Sequence, residues 1–188
     1  MPSLRLFIAI ETPPKIRPQL GAIRDQLRTS AADVKWEPDE KLHATLKFLG
    51  PTDEGLLPEI VSIITGVCQT SSPASVKYAG VGCFPSKRAP RIIWVGIDVL
   101  DVNLGLLQQR IETAMVPLGY KPEDREFHPH VTLGRVKSKK TIGSLLRMME
   151  SITFESQPVM IKEVALVQSE LRTSGSVYTI LKTIPLTA

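Results

Sequence analysis

Cysteine is nearly absent from this chain. Cys68 and Cys83 stand alone, outside any C-x-x-C spacing, which excludes a disulfide framework and a zinc knuckle and leaves both to be read as buried small apolar residues. Apolar runs never approach the ~18 to 20 residues that a membrane span needs, and Met1-Pro2-Ser3-Leu4-Arg5-Leu6-Phe7 carries no basic leader before a long apolar stretch. A cytoplasmic protein with no membrane partner is expected. No G-x-x-x-x-G-K-[ST] cradle is present, so use of ATP is not expected. Heptads, low-complexity segments and charged tails are missing too, which argues against an adaptor and leaves no obligate protein partner evident. Charge of one sign is in modest excess: 23 Lys and Arg against 19 Asp and Glu give a net charge of +4. That favours an anionic partner but falls short of a nucleic-acid coat protein.

What is there is ordered by a faint repeat, offset by 87 residues. Phe7-Ile8-Ala9-Ile10-Glu11 lies over Trp94-Val95-Gly96-Ile97-Asp98, and His43-Ala44-Thr45-Leu46 over His130-Val131-Thr132-Leu133. Two copies, about 1–87 and 88–174, followed by a C-terminal strand, describe nearly all of the chain, so one bilobal domain over 1–188 is expected. In the first copy the patterns predict a strand over 4–10, a helix over 15–29 behind Pro13-Pro14, a histidine strand over 42–49, a helix capped by Asp53 and running to about 67, and a strand over 75–81. In the second they predict a strand over 91–97, a helix over 102–118, the histidine strand over 128–136, a helix over 142–149, and strands over 159–168 and 177–181. Alternating strands and helices in two matched copies predict an α+β fold. Its two lobes are related by a pseudo-twofold axis, each a mostly antiparallel sheet with helices outside and the active-site cleft between them.

Two of only three histidines fall at equivalent places in the repeat, each followed two residues later by threonine. In a strand, residues i and i+2 share a face, so His43 goes with Thr45 and His130 with Thr132. Alternation also puts Leu42, Ala44, Leu46 and Phe48 on the packed face and Lys47 on the histidine face. A twofold relation would bring two imidazoles and two hydroxyls to one cleft. That set suits in-line displacement at phosphorus: histidine both takes and gives a proton near neutral pH, and hydroxyls hold the charge developing on non-bridging oxygens. Which histidine is acid and which base is left open by the symmetry. Arg135 could grip a phosphate bidentately if a bend at Gly134 re-aims it from the opposite face. His128, Pro129 and His130 with His43 offer a metal-site alternative, disfavoured because it leaves the threonines unused and no carboxylate-rich motif accompanies it; no metal and no cofactor are expected. Phe7 and Trp94 read as core residues, and Lys137 to Lys140 as a solvated turn.

The paired motifs resemble those of the two-histidine phosphoesterase superfamily. Within it, Arg5-Leu6-Phe7-Ile8-Ala9, Leu42-His43-Ala44-Thr45-Leu46-Lys47-Phe48-Leu49-Gly50 and Phe127-His128-Pro129-His130-Val131-Thr132-Leu133-Gly134-Arg135 are similar to the RNA 2′,3′-cyclic phosphodiesterases, first known as 2′-5′ RNA ligases. The resemblance implies a bilobal fold, no metal, RNA with a 2′,3′-cyclic phosphate end as partner, and hydrolysis to a 2′-phosphomonoester. It makes His43 the proton donor and His130 the acceptor, and allows the reverse, ATP-independent 2′-5′ joining. The alternatives are a phosphodiesterase for a small cyclic nucleotide and a non-catalytic RNA-binding module, which would not require an acid–base pair.

Overall fold

The computed structural model describes residues 3–173 and 175–188. Strand β1 (Ser3–Glu11) leads into helix α1 (Arg17–Arg28) and a short strand β2 (Val34–Trp36). The first histidine strand is β3 (His43–Asp53), followed by α2 (Leu57–Gln69) and β4 (Ala74–Phe84). The order recurs as β5 (Ile92–Val99), α3 (Asn103–Met115), the second histidine strand β6 (His130–Val136) and α4 (Ile142–Ser151). The chain closes with β7 (Val159–Ile161), β8 (Glu163–Arg172) and β9 (Gly175–Pro185).

These strands form two antiparallel sheets, ordered β3-β1-β8-β9 and β2-β6-β5-β4-β7. The fold is α+β with two lobes, as the patterning predicts. Each sheet borrows from the other half of the chain: β4 crosses to pair with β5, and β8 crosses back to pair with β1. The short β2 likewise sits beside β6. Neither loan is visible in the residue pattern. β2 was not expected as a strand at all, because three residues are too few to show alternation. The stretch expected as one strand over 159–168 is two, β7 and β8, which join different sheets.

Alternation sorts the faces. Leu6, Ile8 and Ile10 enter a core that runs through both lobes with Ile93, Val95, Ile97, Val131 and Leu133, under helix residues such as Leu20, Ile64, Ile111 and Leu145. The other face of β1 is apolar as well, and Phe7 and Ala9 form a second small cluster with Ala165, Val167 and Tyr178. Two buried faces explain why β1 reads as an unbroken apolar run. Helix α1 carries Pro18 in its first turn, where the missing N–H costs nothing, and buries Leu20, Ile23 and Leu27. Asp53 accepts a hydrogen bond from the Gly55 backbone N–H at 2.9 Å. It thereby caps the tight turn that feeds α2, as its position suggests. Cys68 is buried, whereas Cys83 is only half-buried. No helix among the described residues is long and apolar enough to cross a membrane.

Candidate active site

The histidines stand at the first residues of β3 and β6 and are anchored identically. His43 Nδ1 lies 2.7 Å from the Lys41 carbonyl oxygen, and His130 Nδ1 lies 2.7 Å from that of His128. A carbonyl only accepts, so each Nδ1 carries the proton and donates. Nε2 is then the nitrogen left for a substrate, an acceptor when the ring is neutral and a donor when it is charged.

Both strands then break their alternation at the same place. Ala9 pairs with Thr45 but Ile8 pairs with Lys47, which leaves Leu46 as an extra residue. Trp94 pairs with Thr132 but Ile93 pairs with Gly134, which leaves Leu133 over. A bulge of one residue flips every later side chain to the other face. Arg135, nominally on the face opposite His130, is turned onto the histidine face, pairing across from Ile92 of the same parity as Trp94. Gly134 permits this because a Cβ there would stand 2.7 Å from Val34 Cγ1 and 2.8 Å from Trp36 Cε3. The displaced carbonyls find partners outside the ladder: Glu37 N–H donates to Leu133 O at 2.8 Å, and Gln108 Nε2 lies 3.5 Å from Leu46 O.

The same flip corrects two expectations about β3. Lys47 does not share the face of His43. Its side chain is buried, its ammonium paired with Glu112 and donating to the Lys121 carbonyl at 2.9 Å. Phe48 is not a core residue but stands 67% exposed, its ring 6.2 Å from that of Phe7. The repeat already held the signal, because Phe48 is the equivalent of Arg135. The alternation rule hid it.

Thr45 and Thr132 are half-buried, paired across from Ala9 and Trp94 on the histidine faces. Aromatic rings line both imidazoles. Phe7 stacks on His43 at 4.8 Å and Tyr178 of β9 meets it edge-on at 5.3 Å. Phe84 meets His130 edge-on at 4.9 Å, with Trp94 at 6.3 Å. The Trp94 indole lies so close over Gly82 that a Cβ there would be 2.2 Å from the ring. Tyr178 and Phe84 are site residues that the sequence patterns did not single out, since neither belongs to a motif.

Burial pushes His43 below its ordinary value of 6.5; the Lys41 carbonyl opposes this, and the charges of Arg135 and His130 push it further down. Burial also lowers His130, opposed by the His128 carbonyl and reinforced by the charges of His128 and Arg135. The charge of Arg135 thus bears on both imidazoles. Its one ion pair among the described residues is loose, Nε lying 3.6 Å from Glu37 Oε1, and its side chain is 49% exposed. A guanidinium that bears on two imidazoles is a candidate anion-binding group. Among the described residues, no three His, Cys, Asp or Glu side chains converge as metal ligands. His128 is exposed, with Nε2 3.7 Å from Glu126.

The family described as LigT-like phosphoesterase matches the chain twice, over residues 10–94 and 98–178. The chain belongs to this family. Relatives of this LigT-like chain include the RNA 2′,3′-cyclic phosphodiesterase of Methanothermobacter thermautotrophicus, 32% identical over 94% of this chain and 95% of that protein. The protein of the same name from Methanocaldococcus jannaschii is 31% identical, over 95% of this chain and 99% of its own length. Among solved structures, a Thermus thermophilus protein superposes with a TM-score of 0.82 at 26% identity, covering 98% of each chain. Escherichia coli LigT without ligand superposes with a TM-score of 0.80 at 22% identity, covering 100% of each, and shares the fold.

Proposed function

We propose that this LigT-like chain opens 2′,3′-cyclic phosphate ends of RNA to 2′-phosphomonoesters, with His43 and His130 as its acid–base pair. The carrying observation is the matched anchoring: two Nδ1–H groups held on carbonyls leave two Nε2 atoms for one anion, with Arg135 acting on both rings. The bound phosphodiester anion opposes the effect of burial and raises the imidazoles toward their charged forms. His130 Nε2 takes a proton from water as the water oxygen bonds to phosphorus; the P–O3′ bond breaks, and His43 Nε2–H gives its proton to the departing O3′. The phosphate remains on O2′. His43 ends neutral and His130 charged, and exchange with solvent restores both. Thr45 and Thr132 donate to the non-bridging oxygens, and the Arg135 guanidinium grips the same group. Phe48 offers an exposed ring to the terminal base. With an RNA 5′-hydroxyl in place of the attacking water, the same forward steps join ends through a 2′-5′ linkage and release the 3′-hydroxyl. The whole chain works as one bilobal domain built from two copies of an 87-residue unit, and the cytoplasm is its place.

The test is cleavage of a short oligoribonucleotide ending in a 2′,3′-cyclic phosphate, in EDTA. Native protein is expected to yield the 2′-phosphate, and His43→Ala and His130→Ala each to lose roughly 10²- to 10⁴-fold in rate while staying folded. Inertness until a metal is added, or full activity in either variant, would sink the assignment.

A further inference from the structure

The two anchors are alike at the imidazole and unlike one residue behind it. Lys41, whose carbonyl holds His43, is itself held: its ammonium donates to the Ser176 carbonyl of β9 at 2.6 Å and lies 5.9 Å over the Tyr178 ring. Tyr178 closes the figure by meeting His43 edge-on at 5.3 Å and Phe7 at 5.2 Å. Phe7 stacks on the same imidazole, so the three rings pack against one another. His43 is thus fixed at Nδ1, on one ring face and from β9 together. Among the described residues His128, whose carbonyl holds His130, has no such brace, and its side chain is 65% exposed. The difference traces to one strand. β9 pairs with β8 from Glu163 to Arg172. The corresponding edge strand of the other sheet, β7, pairs with β4 only from Ala74 to Val76, far from Phe84 and His130.

We infer that β9 is a positioning element for His43 alone, acting through the Tyr178 ring and the Lys41–Ser176 bond, and that it makes the two histidines unequal. The inference rests on the acid–base reading above for its consequence in catalysis, but not for its geometry. A proton donor must meet the leaving oxygen in one fixed direction, and misplacement by an ångström costs rate rather than binding. Tyr178 touches the imidazole through its ring, so the ring and not the hydroxyl carries the role. Titratable and charged groups face His43 from each neighbouring element: Glu11 of β1 opposite it, Lys41 before it, the neutral Tyr178 of β9, and His130 and Arg135 of β6. Only Tyr178 among these belongs to β9.

The experiment uses the full chain with Tyr178→Ala and Tyr178→Phe. Long-range ¹H–¹⁵N spectra of the two histidine rings are recorded against pH, alongside kcat and KM for a nucleoside 2′,3′-cyclic phosphate. In Tyr178→Ala the His43 ring is expected to lose its single Nδ1–H tautomer and titrate closer to 6.5, with His130 unmoved. The same variant should lose about ten- to a hundredfold in kcat, with KM little changed. Tyr178→Phe should restore both. If Tyr178→Ala leaves His43 unchanged, or moves His130 equally, β9 is a structural edge strand and the inference falls. Should the native chain fail to open the cyclic phosphate, the functional reading falls by itself, and the ring titrations still decide the role of β9.

Discussion

The stretches after the two histidines, Leu46-Lys47-Phe48 and Leu133-Gly134-Arg135, share one backbone event and use it for opposite ends. The bulge sends Lys47 inward and Phe48 onto the histidine face on one side, Gly134 inward and Arg135 onto the histidine face on the other. Where the inward residue meets α3, a long side chain spans the gap to Glu112. Where it meets β2, only glycine fits, because Val34 and Trp36 occupy the space of a Cβ. On the proposed function, the outward residues would divide the labour that one substrate demands: a cation for the phosphate and a ring for the base. Duplication supplied two equal frames, and the neighbours of each frame decided what it could carry.

The harshest way to break this comparison is to unpair Lys47. Lys47→Met leaves the Glu112 carboxylate, whose side chain is only 12% exposed, without its cation. Unfolding in urea should show a loss of about 3–5 kcal/mol. A loss near zero would mean that the Lys47–Glu112 pair does not hold the inward position of β3. The outward positions sharpen the comparison. Arg135→Ala is expected to cost about 1.5–3 kcal/mol of transition-state stabilisation, seen as a fall in kcat, since charge on the phosphate grows during the reaction. Phe48→Ala is expected to cost about 1–2 kcal/mol, seen in KM and greater for purine than for pyrimidine ends, because stacking is the same in ground and transition states. Equal effects on kcat would show that the two positions are not distinct in role.

The mildest effect is on pH dependence. Both histidines sit below 6.5 in the free protein, and kcat/KM reports the free enzyme. The base limb rises through the lowered value of His130 and the acid limb falls through that of His43. The bell of kcat/KM is therefore expected to centre on the acid side of 6.5. The bound anion favours imidazolium, so the bell of kcat should stand at higher pH. A kcat/KM optimum above 7.5 would contradict the burial of both rings. The same sign holds for stability: below 6.5 the unfolded chain takes up these protons more readily than the folded one, so stability is lost as the pH is lowered, until the lowered folded values are passed.

The strongest features were legible in the residues. The 87-residue offset paired the histidine strands, and the i, i+2 rule put Thr45 beside His43 and Thr132 beside His130 on one face. The elements followed from apolar period and caps, with boundaries off by a few residues. Lys47 and Phe48 were misplaced because alternation was carried past Leu46, and a bulge leaves no mark in an apolar–polar pattern when its extra residue is itself leucine. Arg135 was recoverable only through Gly134, where a bend could re-aim it; the close approach that requires glycine there appears only in the structure. Tyr178 was invisible: a single tyrosine on a late strand shows no period and no motif.

By itself, then, the sequence determined which chemistry is present, the two histidines with their threonines, and that they come in equivalent pairs, because side-chain type and strand period are local properties. Only the tertiary structure decided how the halves combine. β4 and β8 exchange sheets, β2 joins the far lobe and β9 braces His43. Backbone hydrogen bonding between strands is indifferent to side chains, so which strands pair is settled by burying one continuous core, and not by anything a single strand encodes.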